Sequence, residues 1–311
     1  MNKYLLRSTV ALVIIASFLL SSCTETFYSN SSSSTNEDFV EQPSVVTIES
    51  FDELNTLFQK LNYLEENWNN IKQTIPRLSF DSVGESWVKG SSKLPVETKK
   101  TIFFRLMAPL ILIANENITR QRKIVIDEDL DSQRLVNIAI KYLVISKEQN
   151  SLTETDRRRL LSRLDIVPAS LALAQAAEES GWATSRFAQE GNAFFGQWDF
   201  SGKGMKPKQQ REQLGNYGVA RFDSPLDSVE AYMFNLNTNA AYQNLRNLRN
   251  EMRKNNRQIT GYELAGTLDK YSERGEAYIS GLRLMIRYNK LETIDEMELS
   301  QDEFIHLITK S

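Results

Sequence analysis

From residue 51 onward, the hydrophobic pattern of the chain is mostly helical. Apolar positions recur at intervals of three and four residues, which places them on one face of a helix. In the first such segment they are Leu54, Leu57, Phe58, Leu61 and Leu64. The same spacing predicts further helices within 99–123, 130–146 and 154–164.

After residue 191 the pattern changes to one that favours a small β-hairpin. Residues 194–200 are rich in aromatic side chains, the next residues include two glycines, and 217–222 alternates between apolar and polar positions. These features predict two short strands joined by a long, basic loop. Residues 80–95 combine glycine, serine and proline, and they predict an irregular crossing between helices.

Helix signals return with Ser224-Pro225-Leu226-Asp227, which supplies an N-cap serine, a proline at the first helical position and the acid of a capping box. They predict a helix to about residue 237. Two more helices are predicted at roughly 243–255 and 276–291.

The helix predicted at about 168–180 carries two adjacent acids at its C-terminal end. Gln175 and Glu179 lie on one helix face, while Glu178 is turned about 100° away. A carboxylate in the last turn faces unpaired carbonyls and the negative end of the helix dipole, and a dry aromatic wall such as Trp182 adds to the effect. Both influences raise its pKa, as a general acid requires. For Glu178 a solvent-exposed surface position is the preferred interpretation.

Composition excludes several kinds of chemistry. The chain has 311 residues, 41% of them hydrophobic, which is enough for one large domain or two small ones. Its net charge of −3 does not favour a nucleic-acid partner. With one histidine, His306, and one cysteine, Cys23, the chain has almost no material for Ser-His-Asp or Cys-His catalysis or for a zinc site. We therefore expect no metal and no cofactor.

The N-terminus has the pattern of an export signal. Lys3 and Arg7 precede an apolar run over 10–20, which is shorter than the roughly 18–20 residues of a membrane-spanning helix. The run ends in Leu20-Ser21-Ser22-Cys23, which resembles the bacterial lipobox, so Cys23 is expected to carry the lipid anchor. The alternative is an ordinary signal peptide with an unrelated cysteine. These features predict a signal peptide over 1–22, followed by a lipidated cysteine and flexible tether over 23–50.

Two segments together closely resemble the glucosaminidase domain of peptidoglycan hydrolases, glycoside hydrolase family 73. They are Ala174 to Trp182, AQAAEESGW, and Asn192 to Gly196, NAFFG. Within that family the chain is most similar to the Bax-type proteins. The stretches that carry this second resemblance are 221–225, 235–238, 241–242 and 271–275. The similar part runs from about 165 to 291.

The resemblance implies a predominantly helical α+β fold, lysozyme-like, with a small β-hairpin lobe beside the active-site groove. It also implies hydrolysis of the β-1,4 bond between N-acetylglucosamine and N-acetylmuramic acid. Glu179 aligns with the essential acid of the family. Tyr242 aligns with a tyrosine thought to help catalysis, although it could instead cap a core.

Four residues are candidates for substrate binding: Gln175, Asn192, Phe195 and Trp198. Phe195 and Trp198 are equally consistent with the core of the hairpin. Asn192 either binds an N-acetyl group or fixes the turn before Gly196.

The second catalytic group is not assigned by the sequence. Several relatives carry an acid on the hairpin shortly before the position of Phe222, where this chain has Tyr217 and Gly218. Glu212 is the preferred candidate, Asp199 is the other nearby acid, and the N-acetyl group of the substrate is a third possibility. The distance from the acid that separates inverting from retaining enzymes cannot be read from sequence.

Together these features predict a monomeric, lipid-anchored peptidoglycan hydrolase whose partners are glycan strands and a membrane bound through Cys23. Its expected location is the cell envelope, on the outer membrane facing the periplasm, because Thr24 is not the aspartate linked to inner-membrane retention. The alternatives are a lytic transglycosylase and a non-catalytic wall-binding lipoprotein. The remaining predicted regions are a helical N-terminal region at 51–165, the glucosaminidase domain at 166–292 and a C-terminal tail at 293–311.

Overall fold

The computed structural model describes residues 43–64, 74–208 and 217–309, apart from the side chains of residues 85 and 86. The predicted signal peptide (1–22), Cys23 and Glu212 lie outside the described residues. In the described part the predicted α+β class, predominantly helical, is confirmed.

Eleven α-helices occur within the described ranges, and several of them join at short 3₁₀ segments. The helices are α1 (Phe51–Lys60), α2 (Glu85–Gly90), α3 (Val96–Asp127), α4 (Gln133–Lys141), α5 (Glu154–Arg163), α6 (Ala169–Ser180), α7 (Arg186–Gly191), α8 (Pro225–Thr238), α9 (Gln243–Lys254), α10 (Gly261–Ala265) and α11 (Glu276–Tyr288). The 3₁₀ segments are Ser91–Lys93, Ala240–Tyr242 and Leu291–Glu296. The strands are β1 (Ser44–Ile48), β2 (Leu78–Phe80), β3 (Trp198–Asp199), β4 (Gly218–Val219) and β5 (Ile305–Thr309).

The helix ends that were predicted from capping residues are confirmed. At α8 the Ser224 hydroxyl accepts a hydrogen bond from the Asp227 amide, and the Asp227 carboxylate accepts one from the Ser224 amide, which is the predicted capping box. The predicted hairpin also forms, with β3 antiparallel to β4.

A parallel three-stranded sheet in the order β1-β5-β2 was not predicted. Its outer strand β1 lies in 44–48, which we assigned to the flexible tether, and its central strand β5 lies in 305–309, which we assigned to the C-terminal tail. The assignment of 44–48 to a flexible tether is wrong, and the assignment of 305–309 to a tail did not predict its strand. Each strand has only five residues, too few for a clear period, and each is stabilised by a partner from the other end of the chain.

Helix α3 is the central helix of the core. It has 32 residues, and the described part of the chain contains no other helix long and apolar enough to cross a membrane. However, 78% of its most apolar window is buried inside the protein, as expected for the core helix of a folded domain.

A buried polar network anchors the turn that precedes α6. Asp165 has no exposed side-chain surface, and its two carboxylate oxygens accept hydrogen bonds of 2.7 and 2.9 Å from Arg253. Arg249, also fully buried, donates to the backbone carbonyls of residues 162, 163, 165 and 166. Burial raises the pKa of Asp165, but the hydrogen bonds from Arg253 and the surrounding arginine charges outweigh it, so the net pKa lies below its usual value.

Asp295 fixes the N-terminus of α6 itself. Its carboxylate accepts hydrogen bonds from the Ser170 amide at 2.8 Å, the Ser170 hydroxyl at 2.6 Å and the Gly261 amide at 3.1 Å. The first turns of α6 and α10 are thus held by one carboxylate, as the positive ends of two helix dipoles favour. Asp295 lies in the region that we assigned to the C-terminal tail, so that region helps to position α6.

Candidate active site

Glu179 occupies the last turn of α6 and is partly buried. Burial raises its pKa from 4.5 to about 7, while a hydrogen bond from Tyr278 works in the opposite direction and the charge of Glu178 adds a further increase. Near neutral pH both the protonated and the ionised form of Glu179 are therefore present. The electrostatic expectation for this helix end agrees with the structure, although burial, rather than the dipole, is the largest cause.

Helix α6 ends one residue after Glu179, and three consecutive residues with left-handed φ follow it. Gly181, Trp182 and Ala183 have φ values of 57°, 60° and 61°. For Trp182 and Ala183 this conformation costs about 1–2 kcal/mol each. The Ser180 hydroxyl supports the turn because it accepts a hydrogen bond from the Ala183 amide at 2.9 Å and donates one to the Ala176 carbonyl at 2.6 Å.

The Trp182 ring packs edge-on against Phe103 and Phe104 of α3, with centroid distances of 5.5 and 5.1 Å. This packing holds the left-handed turn against the core helix and so offsets the backbone strain. The Ser-Gly-Trp sequence thus serves to end α6 abruptly and to hold Glu179 at the end of a rigid helix.

Tyr278 makes the direct contact with the acid, and sequence reasoning missed it. Its hydroxyl donates to Glu179 Oε1 over 2.8 Å, and its ring stacks on Tyr271 with a centroid distance of 5.6 Å. The one sequence feature that pointed to Tyr278 was its position, three residues after the stretch 271–275 that resembles the Bax-type proteins. Nothing local indicated that α11 packs beside α6.

The other oxygen of Glu179 faces Gly196. A Cβ atom built on Gly196 would lie 3.7 Å from Glu179 Oε2, and Gly196 has a φ of 63°. Within the described residues no hydrogen bond is made to Oε2, whereas Oε1 is occupied by Tyr278. Oε1 is thus hydrogen-bonded to Tyr278, whereas Oε2 is free to interact with a ligand.

Tyr242 belongs to the group of tyrosines around Glu179. It is 3% exposed and packs against Tyr271 with a centroid distance of 5.8 Å. Burial raises the pKa of Tyr242 to about 12, a hydrogen bond with Asn235 acts against this shift, and the Glu179 charge adds to it. Tyr242 therefore lies within electrostatic reach of the candidate acid.

Gln175 is placed one turn before Glu179, as predicted, but it is fully buried. Its amide is bonded at both ends, to Tyr232 at 2.6 Å and to Tyr278 at 3.0 Å. The predicted contact of Gln175 with a sugar is therefore contradicted, because no polar atom of this side chain is open to a ligand.

Phe195 and Asn192 also have structural partners. The Phe195 ring is 1% exposed and stacks on Tyr232 of α8 at 3.9 Å, so it belongs to the main core and not to the core of the hairpin. Asn192 has a φ of 51° and donates from Nδ2 to the carbonyls of Asp81 and Phe222. It therefore fixes the turn, and these two residues are not exposed sugar contacts.

Trp198 is the one predicted ligand residue with an exposed aromatic neighbour. It lies on β3, stacks on Tyr217 at 4.8 Å and contacts Phe200, which is 65% exposed. This hairpin surface offers aromatic faces of the kind that bind sugar rings.

No carboxylate of the described part of the hairpin is among the groups that act on Glu179. Asp199 accepts hydrogen bonds from the amide and hydroxyl of Ser201, and although burial raises its pKa, these bonds lower it overall. Gly218, close to the position where relatives have an acid, has no room for a side chain, since a Cβ there would meet the Gly204 backbone at 2.7 Å. The charges that act on Glu179 in this part of the chain are those of Glu178 and Arg274.

Glu178 has the separate environment that the helix geometry predicts. Its carboxylate forms an ion pair of 2.8 Å with Arg274, and 31% of its side chain is exposed. The Arg274 guanidinium in turn lies 5.3 Å from the Tyr278 ring centroid. Glu178 and Arg274 thus form a charge pair at the edge of the site, while Glu179 faces inward.

A separate apolar cavity lies between α1, α3 and the three-stranded sheet, and Glu179 does not line it. With its opening to solvent it encloses about 650 Å³ of empty space. Most of its wall is hydrocarbon, from residues that include Leu54, Phe80, Trp87, Phe103 and Phe194. Because a glycan needs hydrogen-bonding partners, this cavity is not the candidate site. Over the described ranges there is also no cluster of three metal-ligating side chains.

Comparison with known proteins gives two matches that include this site. Residues 156–291 match the glucosaminidase family model, described as mannosyl-glycoprotein endo-beta-N-acetylglucosaminidase. The chain is also similar to protein bax of Escherichia coli (strain K12), with 33% identity over 220 residues, which covers 68% of this chain and 78% of that protein. No solved structure matches the chain. The family match contains Glu179, Tyr278 and the β-hairpin.

Proposed function

The chain belongs to the Bax-type family of glucosaminidase-domain proteins, and from this premise we propose that it is a peptidoglycan hydrolase. The proposed activity is that of an endo-β-N-acetylglucosaminidase, which cleaves the β-1,4 bond between N-acetylglucosamine and N-acetylmuramic acid. The observation that carries the proposal is Glu179, a carboxyl group with a pKa of about 7 in the family-matched region.

In this proposal Glu179 acts as the general acid through Oε2. Oε1 is engaged by the Tyr278 hydroxyl, so the transferable proton resides on the oxygen that faces Gly196. When the bond between C1 of N-acetylglucosamine and the glycosidic oxygen breaks, the glycosidic oxygen takes the proton from Oε2. It leaves as a hydroxyl group on N-acetylmuramic acid. Glu179 becomes a carboxylate, which can then accept a proton from the incoming water.

The second chemical role has two candidates. One is the 2-acetamido oxygen of the N-acetylglucosamine, which would attack C1 and form a cyclic oxazolinium that water then opens. The other is Glu212 acting as base, a residue outside the described part of the chain. Substrate assistance is the preferred candidate, because the carboxylate whose charge acts on Glu179 within the described residues is that of Glu178, which is ion-paired with Arg274.

Sugar binding is proposed at the hairpin, where Trp198 and the exposed Phe200 present aromatic faces. Stacking of a sugar ring on such a face contributes affinity while hydrogen bonds set its orientation. Tyr242 is proposed to support the site from within the tyrosine group, through its effect on the field around Glu179.

We also propose that the protein acts as a monomer at the cell envelope, held by acyl chains on Cys23. The first described strand begins at Ser44, so the intervening chain has about 20 residues and reaches at most about 70 Å when fully extended. Such a tether suits an enzyme that works on a wall layer near its membrane, and the outer membrane facing the periplasm is the proposed site.

The proposal is tested by digestion of purified sacculi followed by mass spectrometry of the new glycan ends. New reducing N-acetylglucosamine ends support the proposed activity. Anhydro-muramic ends would instead assign a lytic transglycosylase, and binding without new ends would assign a wall-binding lipoprotein. Glu179→Gln and Glu178→Gln form a matched pair, of which only the first should abolish the new ends.

A further inference from the structure

We propose that Tyr232 and Gln175 are positioning residues that orient the hydroxyl of Tyr278 toward Glu179 and thereby set which carboxyl oxygen holds the transferable proton. The inference rests on the proposed function of Glu179 as the acid. It concerns two side chains that do not reach the substrate and act only through Tyr278.

The three side chains and Glu179 form a continuous buried chain of hydrogen bonds. The Tyr232 hydroxyl donates to Gln175 Oε1 over 2.6 Å, Gln175 Nε2 donates to the Tyr278 oxygen over 3.0 Å, and the Tyr278 hydroxyl donates to Glu179 Oε1 over 2.8 Å. Tyr232, Gln175 and Tyr278 are at most 1% exposed, so water does not compete for these bonds.

The chemistry of each group fixes the direction of this chain. A buried tyrosine hydroxyl must donate to an acceptor, and the acceptor given to Tyr232 is the amide oxygen of Gln175. The amide oxygen therefore points to Tyr232, and the NH₂ group points to Tyr278. Since Tyr278 receives a hydrogen bond from that NH₂ group, its own proton is directed to Glu179.

The bond from Gln175 also makes Tyr278 a better donor. A hydrogen bond donated to a phenol oxygen stabilises the phenolate, and accordingly this contact lowers the pKa of Tyr278, against the larger effect of burial, which raises it. The stronger donor in turn stabilises the Glu179 carboxylate, since the Tyr278 contact lowers the pKa of Glu179. Loss of either Gln175 or Tyr232 should therefore raise that pKa.

The titratable and charged groups that face Glu179 come from three helices, one 3₁₀ segment and the loop before α11. They are Glu178 on α6, Tyr232 on α8, Tyr242 at the end of the 3₁₀ segment before α9, Tyr271 and Arg274 before α11, and Tyr278 on α11. Of these, Tyr271 provides a matched control. It is buried in the same group, but its hydroxyl donates to the Phe195 carbonyl at 3.1 Å and takes no part in the chain of bonds.

The experiment follows the carboxyl ¹³C resonance of Glu179 in the full-length protein as pH is varied. The resonance is assigned by its absence from Glu179→Gln. The variants are Tyr232→Phe, Gln175→Met and Tyr278→Phe, with Tyr271→Phe as control. Tyr232→Phe removes one oxygen and keeps the ring that stacks on Phe195, so it is the variant least expected to disturb folding.

Tyr278→Phe should raise the titration midpoint of Glu179 by about one pH unit, the effect of one hydrogen bond lost by a carboxylate. Tyr232→Phe and Gln175→Met should each raise it by a smaller amount. A double variant that combines these two changes should match Gln175→Met alone, because Tyr232 acts on Tyr278 only through Gln175. Tyr271→Phe should leave the midpoint unchanged. The basic limb of hydrolysis against pH should move in parallel.

A wild-type midpoint in Tyr232→Phe and Gln175→Met, with only a lower melting temperature, would overturn the inference and leave both residues a purely structural role. An equal shift in Tyr271→Phe would overturn it as well. The NMR titration does not require turnover, so the positioning role and the proposed function can be rejected separately. Absence of hydrolysis by the wild-type protein would reject the proposed function but not the positioning role of Tyr232 and Gln175.

Discussion

Replacement of Glu179 by glutamine is expected to stabilise the folded protein at alkaline pH while it removes the proposed acid. In the folded protein the pKa of Glu179 is raised from 4.5 to about 7. The folded state therefore holds its proton more tightly than the unfolded chain does. The stability that this provides is fully present below pH 4.5 and is lost as the pH rises through about 7.

The magnitude follows from the size of the shift. Each pKa unit corresponds to about 1.36 kcal/mol, so the wild-type protein loses up to about 3 kcal/mol of unfolding free energy over this range. Glu179 is partly exposed, and solvent screening reduces the effect, so we expect about 1–3 kcal/mol. Glutamine carries no charge, keeps an oxygen for the Tyr278 hydroxyl and avoids this loss.

The assay is thermal unfolding of wild-type protein and Glu179→Gln at pH 4 and pH 8. The melting temperatures should be similar at pH 4, and at pH 8 the variant should melt a few degrees higher, since 1 kcal/mol corresponds to about 2–4 °C for a domain of this class. Glu178→Gln is the matched control, because its carboxylate is ion-paired and one third exposed. A melting difference for Glu179→Gln that is the same at both pH values would refute the reasoning.

Four further outcomes are expected. Hydrolysis of sacculi should fall as pH rises through about 7, because Glu179 must be protonated to act as the acid, and a basic limb unchanged in Tyr278→Phe would contradict this assignment. Gly196→Ala should destabilise the fold by about 1–2 kcal/mol in denaturant titrations and lower kcat/KM, because its φ is 63° and the new methyl group would lie 3.7 Å from Glu179 Oε2. Asp165→Asn should lower the free energy of unfolding by about 3–5 kcal/mol at pH 7. Because the pKa of Asp165 lies below its usual value of 3.8, the difference in unfolding free energy between variant and wild type in urea titrations should shrink as the pH falls below 3.8. Cys23→Ser should abolish palmitate labelling and membrane pelleting, and a variant that still incorporates label would exclude the lipid anchor.

The β-hairpin was predicted from sequence, but the contacts of its side chains were not. Its strands were predicted from alternation and glycine, and they form at 198–199 and 218–219. The sequence shows glycine near the position where the family resemblance implies an acid, but only the three-dimensional structure shows that Gly218 packs against the Gly204 backbone and has no room for a side chain. The roles of Phe195 and Asn192 likewise depended on neighbours that sequence could not identify.

The sequence by itself determined the features that arise within a few residues. Helical periodicity and local hydrogen bonding account for the helix that carries Glu179, its end at Gly181, the different surroundings of Glu178 and Glu179, and the capping box at Ser224. Such interactions are set by neighbours along the chain, so they can be read without a fold.

Only the tertiary structure decided what surrounds that glutamate. Tyr278 is 99 residues from Glu179 in sequence, and Tyr232 is 57 residues from Gln175, yet these pairs share hydrogen bonds. The sheet likewise joins strands from the two ends of the described chain. Contacts at such separations depend on how whole helices and strands pack around a common core, and the pKa of Glu179 depends in turn on the burial that this packing creates.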